Sequence, residues 1–133
     1  MKELEIEART ENLDQVISFV DGELAKKECS VNTKIQIDIA VEEIFVNIAR
    51  YAYNPKTGQA TIRVEVRENT VSLTFIDNGI PYDPLSRENP DLSLSADERQ
   101  IGGLGIFMVK ESMDEISYEY RNGSNILSFS KEL

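Results

Sequence analysis

Residues 102–115 read GGLGIFMVKESMDE, three glycines within four positions and then an apolar run. Glycine in a helix costs roughly 0.5–1 kcal/mol relative to alanine, yet Ile106 to Met113 reads as a helix. Either the glycines merely end a loop, or the backbone there must come close to something that a side chain would block. Free N–H groups at the start of a helix can hold phosphate oxygens. The stretch is not a GxxxxGK(S/T) phosphate loop. It is not a dinucleotide fingerprint either, because a polar loop and not a strand precedes it. As a lone glycine cluster it is a weak signal, and its surroundings must decide.

Downstream, Ile116, Tyr118 and Tyr120 alternate, RNGSN makes a turn, and Ile126 to Lys131 forms a last strand. Upstream, periodicity disappears from Ile80 to Ile101, where Pro, Ser, Asp and Asn dominate. A structureless loop of this length is unusual in a compact domain and reads either as a lid or as a plain surface loop. Before it, Ile62, Val64 and Val66 alternate, then Val71, Leu73 and Phe75, with Glu68-Asn69-Thr70 short enough for a hairpin. A helix is expected from about Thr33 to Tyr53, with Ile37, Val41, Ile44 and Ile48 at helical spacing. An earlier helix carries Leu13, Val16, Ile17, Val20 and Leu24, with Asn12 and Gln15 in N-cap and N3 positions. Leu4, Ile6 and Ala8 alternate with Glu3, Glu5 and Glu7 in an opening strand. This order predicts an α+β two-layer sandwich, a mixed and largely antiparallel sheet with helices on one face.

The 133 residues are expected to form one domain, 1–133, with the lid at about 80–101. A net charge of −10 argues against direct nucleic-acid binding and leaves room for a basic protein partner. No apolar stretch approaches the roughly 20 residues of a membrane span, and MKELEIEART lacks a signal-peptide profile. Cys29 is the only cysteine, so no internal disulfide or thiolate metal cluster is expected. These features favour the cytoplasm. The absence of histidine removes the usual general base and the commonest metal ligand.

Two further stretches could carry chemistry. In VEEIFVNIARYAY, residues 41–53, Glu43 and Asn47 are four apart and share a helix face. Beside a buried stripe they need partners. A hard cation such as Mg2+ would suit them, but taken alone the pair reads better as two polar residues in water at the edge of the core. In IDNGIPYDP, residues 76–84, Asp77 closes an apolar strand and Gly79 permits a close approach. Such an Asp can accept a hydrogen bond from the exocyclic amine of adenine, but taken alone Asp-Asn-Gly reads better as a turn.

Together the stretches say more. Glu43-x-x-x-Asn47 on a helix, Asp77-x-Gly79 ending a strand, a long lid, then Gly103-Leu104-Gly105 opening a helix: this order resembles the Bergerat-type (GHKL) ATPases. That superfamily includes gyrase, heat-shock chaperone ATPases and histidine-kinase catalytic domains. DNGIPYDP is similar to the Asp-x-Gly-x-Pro-Phe-Asp-Pro element of its anti-sigma-factor serine kinase branch, and GGLGIFMVKESMDEISY to that branch's glycine-rich segment. The resemblance covers nearly the whole chain. It implies a histidine-kinase-like ATPase fold with ATP and Mg2+ as cofactors. Glu43 would be the general base, Asn47 the Mg2+ ligand, and Asp77 the reader of the adenine amino group. Gly79 would let the base pack close, and Gly103, Leu104 and Gly105 would carry backbone to the phosphates.

The implied activity is serine phosphorylation of an anti-anti-sigma (STAS-type) partner with sequestration of a sigma factor, by a homodimer. The alternative is an ATP-dependent partner-switching module with little or no kinase activity; Glu43 favours the kinase, because a pure binder needs no base. A histidine-kinase catalytic domain would have to find its acceptor histidine on another chain. Two positions depart from the pattern. Tyr51 stands where the branch commonly has histidine, and Pro81 replaces the second glycine of the gyrase-type motif.

Overall fold

The computed structural model describes residues 1–53, 56–86 and 103–133. Strand β1 (Lys2–Glu7) leads through a 3-10 turn (Thr10–Asn12) into helix α1 (Leu13–Leu24) and then α2 (Val31–Asn47), which runs on as a π-helical turn, Ile48–Ala52. Strands β2 (Gln59–Arg67) and β3 (Thr70–Asp77) follow, then a 3-10 turn (Pro84–Ser86), helix α3 (Gly103–Ser112), and strands β4 (Glu115–Arg121) and β5 (Ser124–Glu132). Most of the expected lid, residues 87–101, lies outside the described residues.

The five strands form one sheet in the order β1-β2-β3-β5-β4, and all four pairings are antiparallel. Period-two alternation sends Ile62, Val64, Leu73, Phe75, Leu127 and Phe129 to one face, where they are buried. There they share a core with Val16, Val20 and Leu24 of α1, Ile37, Val41, Ile44 and Phe45 of α2, and Val109 of α3. Phe75 and Phe129 stack with ring centroids 6.1 Å apart. On the opposite face Thr61, Arg63, Ser72 and Thr74 are half-buried or exposed. The expected α+β sandwich, with helices on one face, is the observed fold.

Both hairpins form where the turn residues put them. Asn122 and Gly123 adopt φ of 54° and 81°, the left-handed pair that Asn-Gly favours. The helix starts differ from expectation. Asn12 does sit at the N-cap of α1, but it makes no capping bond there; its Nδ2 instead donates to the Glu7 carbonyl at 2.9 Å, tying the helix entry to β1. Ser30 is the residue that caps a helix, its Oγ accepting from the Thr33 N–H at 3.1 Å. Consequently α2 begins at Val31, two residues ahead of the expected start.

The register places the polar site. The rows Leu4–Ile62–Phe75–Leu127–Tyr118 and Ile6–Ala60–Asp77–Asn125–Tyr120 both point toward the helices. The second is the last row before the strands end. Its two central members are the only buried polar residues among those described, with Asp77 5% and Asn125 6% exposed.

Candidate functional site

A cavity of about 460 Å³ opens beside that row, a size typical of small-molecule sites. Ile44, Ile48 and Ala52 wall one side, and Phe75, Leu127 and Ile106 close the floor and back. Asn47, Asp77 and Asn125 bring polar groups to it, and Tyr51, Tyr82 and Tyr118 bring aromatic rings. The π turn matters here, because it continues the wall past Asn47: Ile48, Tyr51 and Ala52 all line the cavity. Such turns recur at functional sites.

Asp77 is pinned by one oxygen. Its Oδ1 accepts from the Gly79 N–H at 2.9 Å and from Asn125 Nδ2 at 2.9 Å. Its Oδ2 has no partner among the described residues and is the acceptor left for whatever enters. Gly79 does not line the cavity. A Cβ there would overlap the Ala52 carbonyl, so the glycine lets this loop lie against the end of α2, where the Ile80 N–H donates to Ala52 at 3.0 Å. Tyr53 holds the same loop from below, its hydroxyl accepting from the Asn78 N–H at 2.7 Å and donating to the Gln59 carbonyl at 2.6 Å.

Glu43 and Asn47 share the face of α2 as their spacing requires. Asn47 Nδ2 donates to Glu43 Oε1 at 3.4 Å, while Asn47 Oδ1 accepts nothing among the described residues. Asn47 lines the cavity; Glu43 lies one turn back, half-buried and outside the lining. Desolvation raises the Glu43 carboxyl pKa, countered in part by the Asn47 amide. Gly103 and Leu104 open α3, and Gly105 lies in its first turn directly over Glu43. A Cβ at Gly105 would overlap the Glu43 carboxylate. The approach that a side chain would block is thus, in part, that of the Glu43 carboxylate to the first turn of α3.

The structure therefore brings Glu43, Asn47, Asp77 and Gly105 to one end of the sheet. It adds residues that the motifs did not name: Asn125, Tyr118 and Tyr53. The alternation of Leu127 and Phe129, run back once β5 is started at Ser124, gives the face of Asn125 but not its place opposite Asp77, which only the pairing of β3 with β5 shows.

A largely apolar cavity of small-molecule size, a buried carboxylate in its lining and an amide–carboxylate pair on a bordering helix make up the candidate site of this α+β domain. Residues 6–131 match the histidine kinase-like ATPase domain family, and the chain belongs to that family. It is 29% identical over 128 residues to the serine/threonine-protein kinase BtrW of Bordetella bronchiseptica, covering 94% of this chain and 89% of that protein. It is 25% identical over 127 residues to the anti-sigma F factor of Caldanaerobacter subterraneus, covering 96% and 89%. With the serine-protein kinase RsbW of Listeria monocytogenes the match is 27% over 96 residues, 68% of this chain and 61% of that protein. The histidine kinase domain of a blue-light-activated kinase from Erythrobacter litoralis superposes with a TM-score of 0.56 at 13% identity, over 93% of this chain and 60% of that one, a likeness of fold. No helix among the described residues is long and apolar enough to cross a membrane.

Proposed function

We propose that the chain is an ATP-dependent protein serine/threonine kinase and anti-sigma factor, transferring phosphate to a serine of a small STAS-type anti-anti-sigma partner and sequestering a sigma factor. The observation that carries this reading is the order of polar groups leading out of one cavity. Asp77 stands on its floor, Asn47 on its wall, and Glu43 one helical turn further along the same face. An adenine nucleotide with its base on the floor would lay its phosphates toward Asn47 and the first turn of α3.

Asp77 Oδ2 accepts from the adenine amino group. The first N–H groups of α3, at Gly103, Leu104 and Gly105, have no partners within the helix and donate to phosphate oxygens. Asn47 Oδ1 is an uncommitted oxygen beside a carboxylate, a donor set that fits a hard cation. Mg2+ held there would neutralise phosphate charge, which is most of what phosphoryl transfer requires. Glu43 takes the proton from the acceptor serine as the serine oxygen bonds to the γ-phosphorus and the bond to the departing ADP oxygen breaks. The names of the similar proteins, kinases and an anti-sigma factor, support this class. We place it in the cytoplasm as a homodimer.

The test is transfer from radiolabelled ATP to a STAS-domain partner, read beside calorimetric ATP binding. Phosphate should appear on one serine of the partner. Asp77→Ala should abolish detectable ATP binding while circular dichroism stays native. If no serine-bearing partner is phosphorylated, yet ATP changes the affinity for a sigma factor, the chain is a partner switch and not a kinase.

A further inference from the structure

We infer that Asn125 is the positioning residue that sets purine selectivity, by fixing which oxygen of Asp77 faces the ligand and in what direction. The inference rests on the reading of Asp77 as the acceptor for the base. Asn125 lies opposite Asp77 in the β3–β5 register, and both are almost wholly buried. Its amide meets five partners. Nδ2 donates to Asp77 Oδ1 at 2.9 Å, to the Ile80 carbonyl at 2.8 Å and, more weakly, to the Gly79 carbonyl at 3.5 Å. Oδ1 accepts from the Tyr82 N–H at 3.1 Å and from the Tyr118 hydroxyl.

These partners leave the amide one orientation. A backbone N–H can only donate and a backbone carbonyl can only accept, so turning the amide over would set donor against donor at Tyr82 and acceptor against acceptor at Ile80. Nδ2 therefore always faces Asp77. With Gly79 N–H on the same oxygen, the Asp77 carboxylate cannot rotate without giving up two hydrogen bonds in a buried setting. It presents Oδ2 to the cavity as a fixed acceptor. A purine with an amino group at the matching position satisfies it. A purine with a carbonyl there meets oxygen with oxygen and cannot turn the carboxylate away.

A carboxylate freed to rotate loses this discrimination in a particular way: the preferred base binds less well, while the wrong one is less strongly excluded. General loosening of the cavity would instead weaken both bases together. The ratio of affinities therefore separates a positioning role from a structural one. Inosine triphosphate is the probe, because its base differs from adenine only at that edge, with a carbonyl in place of the amino group and N1 turned from acceptor to donor.

Affinities of the full chain for ATP and inosine triphosphate should be measured by calorimetry for wild type, Asn125→Asp and Asn125→Ala. Wild type should prefer ATP by on the order of a hundredfold. Asn125→Asp keeps the shape but replaces the Nδ2 donor by oxygen, and its preference should fall at least tenfold. Asn125→Ala removes the amide and its bond to Asp77 without adding a charge, so its preference should also fall at least tenfold; it decides the matter if Asn125→Asp does not fold. A wild type that discriminates, with folded variants that keep its ratio, overturns the role of Asn125 alone. A wild type that does not bind ATP, or binds both nucleotides equally, overturns the reading of Asp77 and this inference with it.

Discussion

Glu43 is half-buried beneath Gly105, and two consequences follow at the scale of single residues. A side chain at 105 must displace the Glu43 carboxylate, the far end of a flexible side chain, and not the helix. Gly105→Ala should therefore leave thermal stability unchanged or raise it, since alanine is favoured in a helix by about 1 kcal/mol. Phosphoryl transfer should fall at least tenfold. Transfer at the wild-type rate would mean that the position of Glu43 does not matter to the chemistry. The second consequence concerns pH. Burial raises the Glu43 pKa, and a base works only when ionised. Transfer should thus decline on acidification at a higher pH than an ordinary glutamate would give, with the limb carried by kcat and absent from ATP affinity. Glu43 and Asn47, four apart on a helix, and Asp77, two before a glycine, stood out as candidates by their spacing. The roles expected of them come from the resemblance of the three stretches taken in order, since each stretch alone read better as ordinary structure. Asn125 was hidden because one Asn near a turn carries no pattern, and only the pairing of β3 with β5 shows that it faces Asp77.

At the scale of elements, the α1–α2 contact holds a charge cluster away from the cavity. Lys34 lies 3.1 Å from Asp38 on its own helix and 3.3 Å from Asp21 on α1. One cation thus serves two carboxylates, and the Oδ1 atoms of both aspartates are buried without a partner among the described residues. Burial first, and then the facing Asp21 carboxyl, pushes the Asp38 pKa up from 3.8 to about 6, while Lys34 pulls it down. A raised acid pKa means that the folded state binds the proton more tightly than the unfolded chain. The stabilisation from this group is complete below pH 3.8 and is lost as pH rises through about 6. Asp38→Asn removes the titration and the repulsion together. The variant should be more stable than wild type at neutral pH, and chemical denaturation should show a flatter stability profile between those two values. An unchanged profile would rule the cluster out as its source. None of this was legible in the sequence, because Asp21 and Asp38 come together only when α1 packs on α2. The helices themselves were legible from the spacing of Val16, Val20 and Leu24 and of Ile37, Val41 and Ile44. Their starts were not: Asn12 has the residue type of a cap but bonds to β1, and Ser30, in what read as a break, caps α2.

At the scale of the whole molecule, the cavity draws on α2, its π turn, β3, α3, β4 and β5, so nucleotide binding and folding stability are linked. A ligand at a hundred times its dissociation constant stabilises the native state by about 2.7 kcal/mol, a rise in melting temperature of roughly 10 °C for a chain of this size. The strand order β1-β2-β3-β5-β4 that closes this cavity could not be read from periodicity, which reports the face of a residue and not its neighbour across the sheet. The linkage gives a way to separate base from metal ligand. Glu43 lies outside the cavity lining, so Glu43→Ala should keep the full ATP-induced rise in melting temperature while phosphoryl transfer falls by roughly two to four orders of magnitude. Asn47 lines the cavity with its Oδ1 uncommitted, so Asn47→Ala should lose most of the rise, and omitting Mg2+ should affect wild type but add little to that variant. Both substitutions fall on the same helix face four residues apart, so a difference between them reflects chemistry and not helix damage. Equal loss of the thermal shift in both would show that Glu43 and Asn47 act as one binding unit, leaving the proton acceptor to be sought elsewhere.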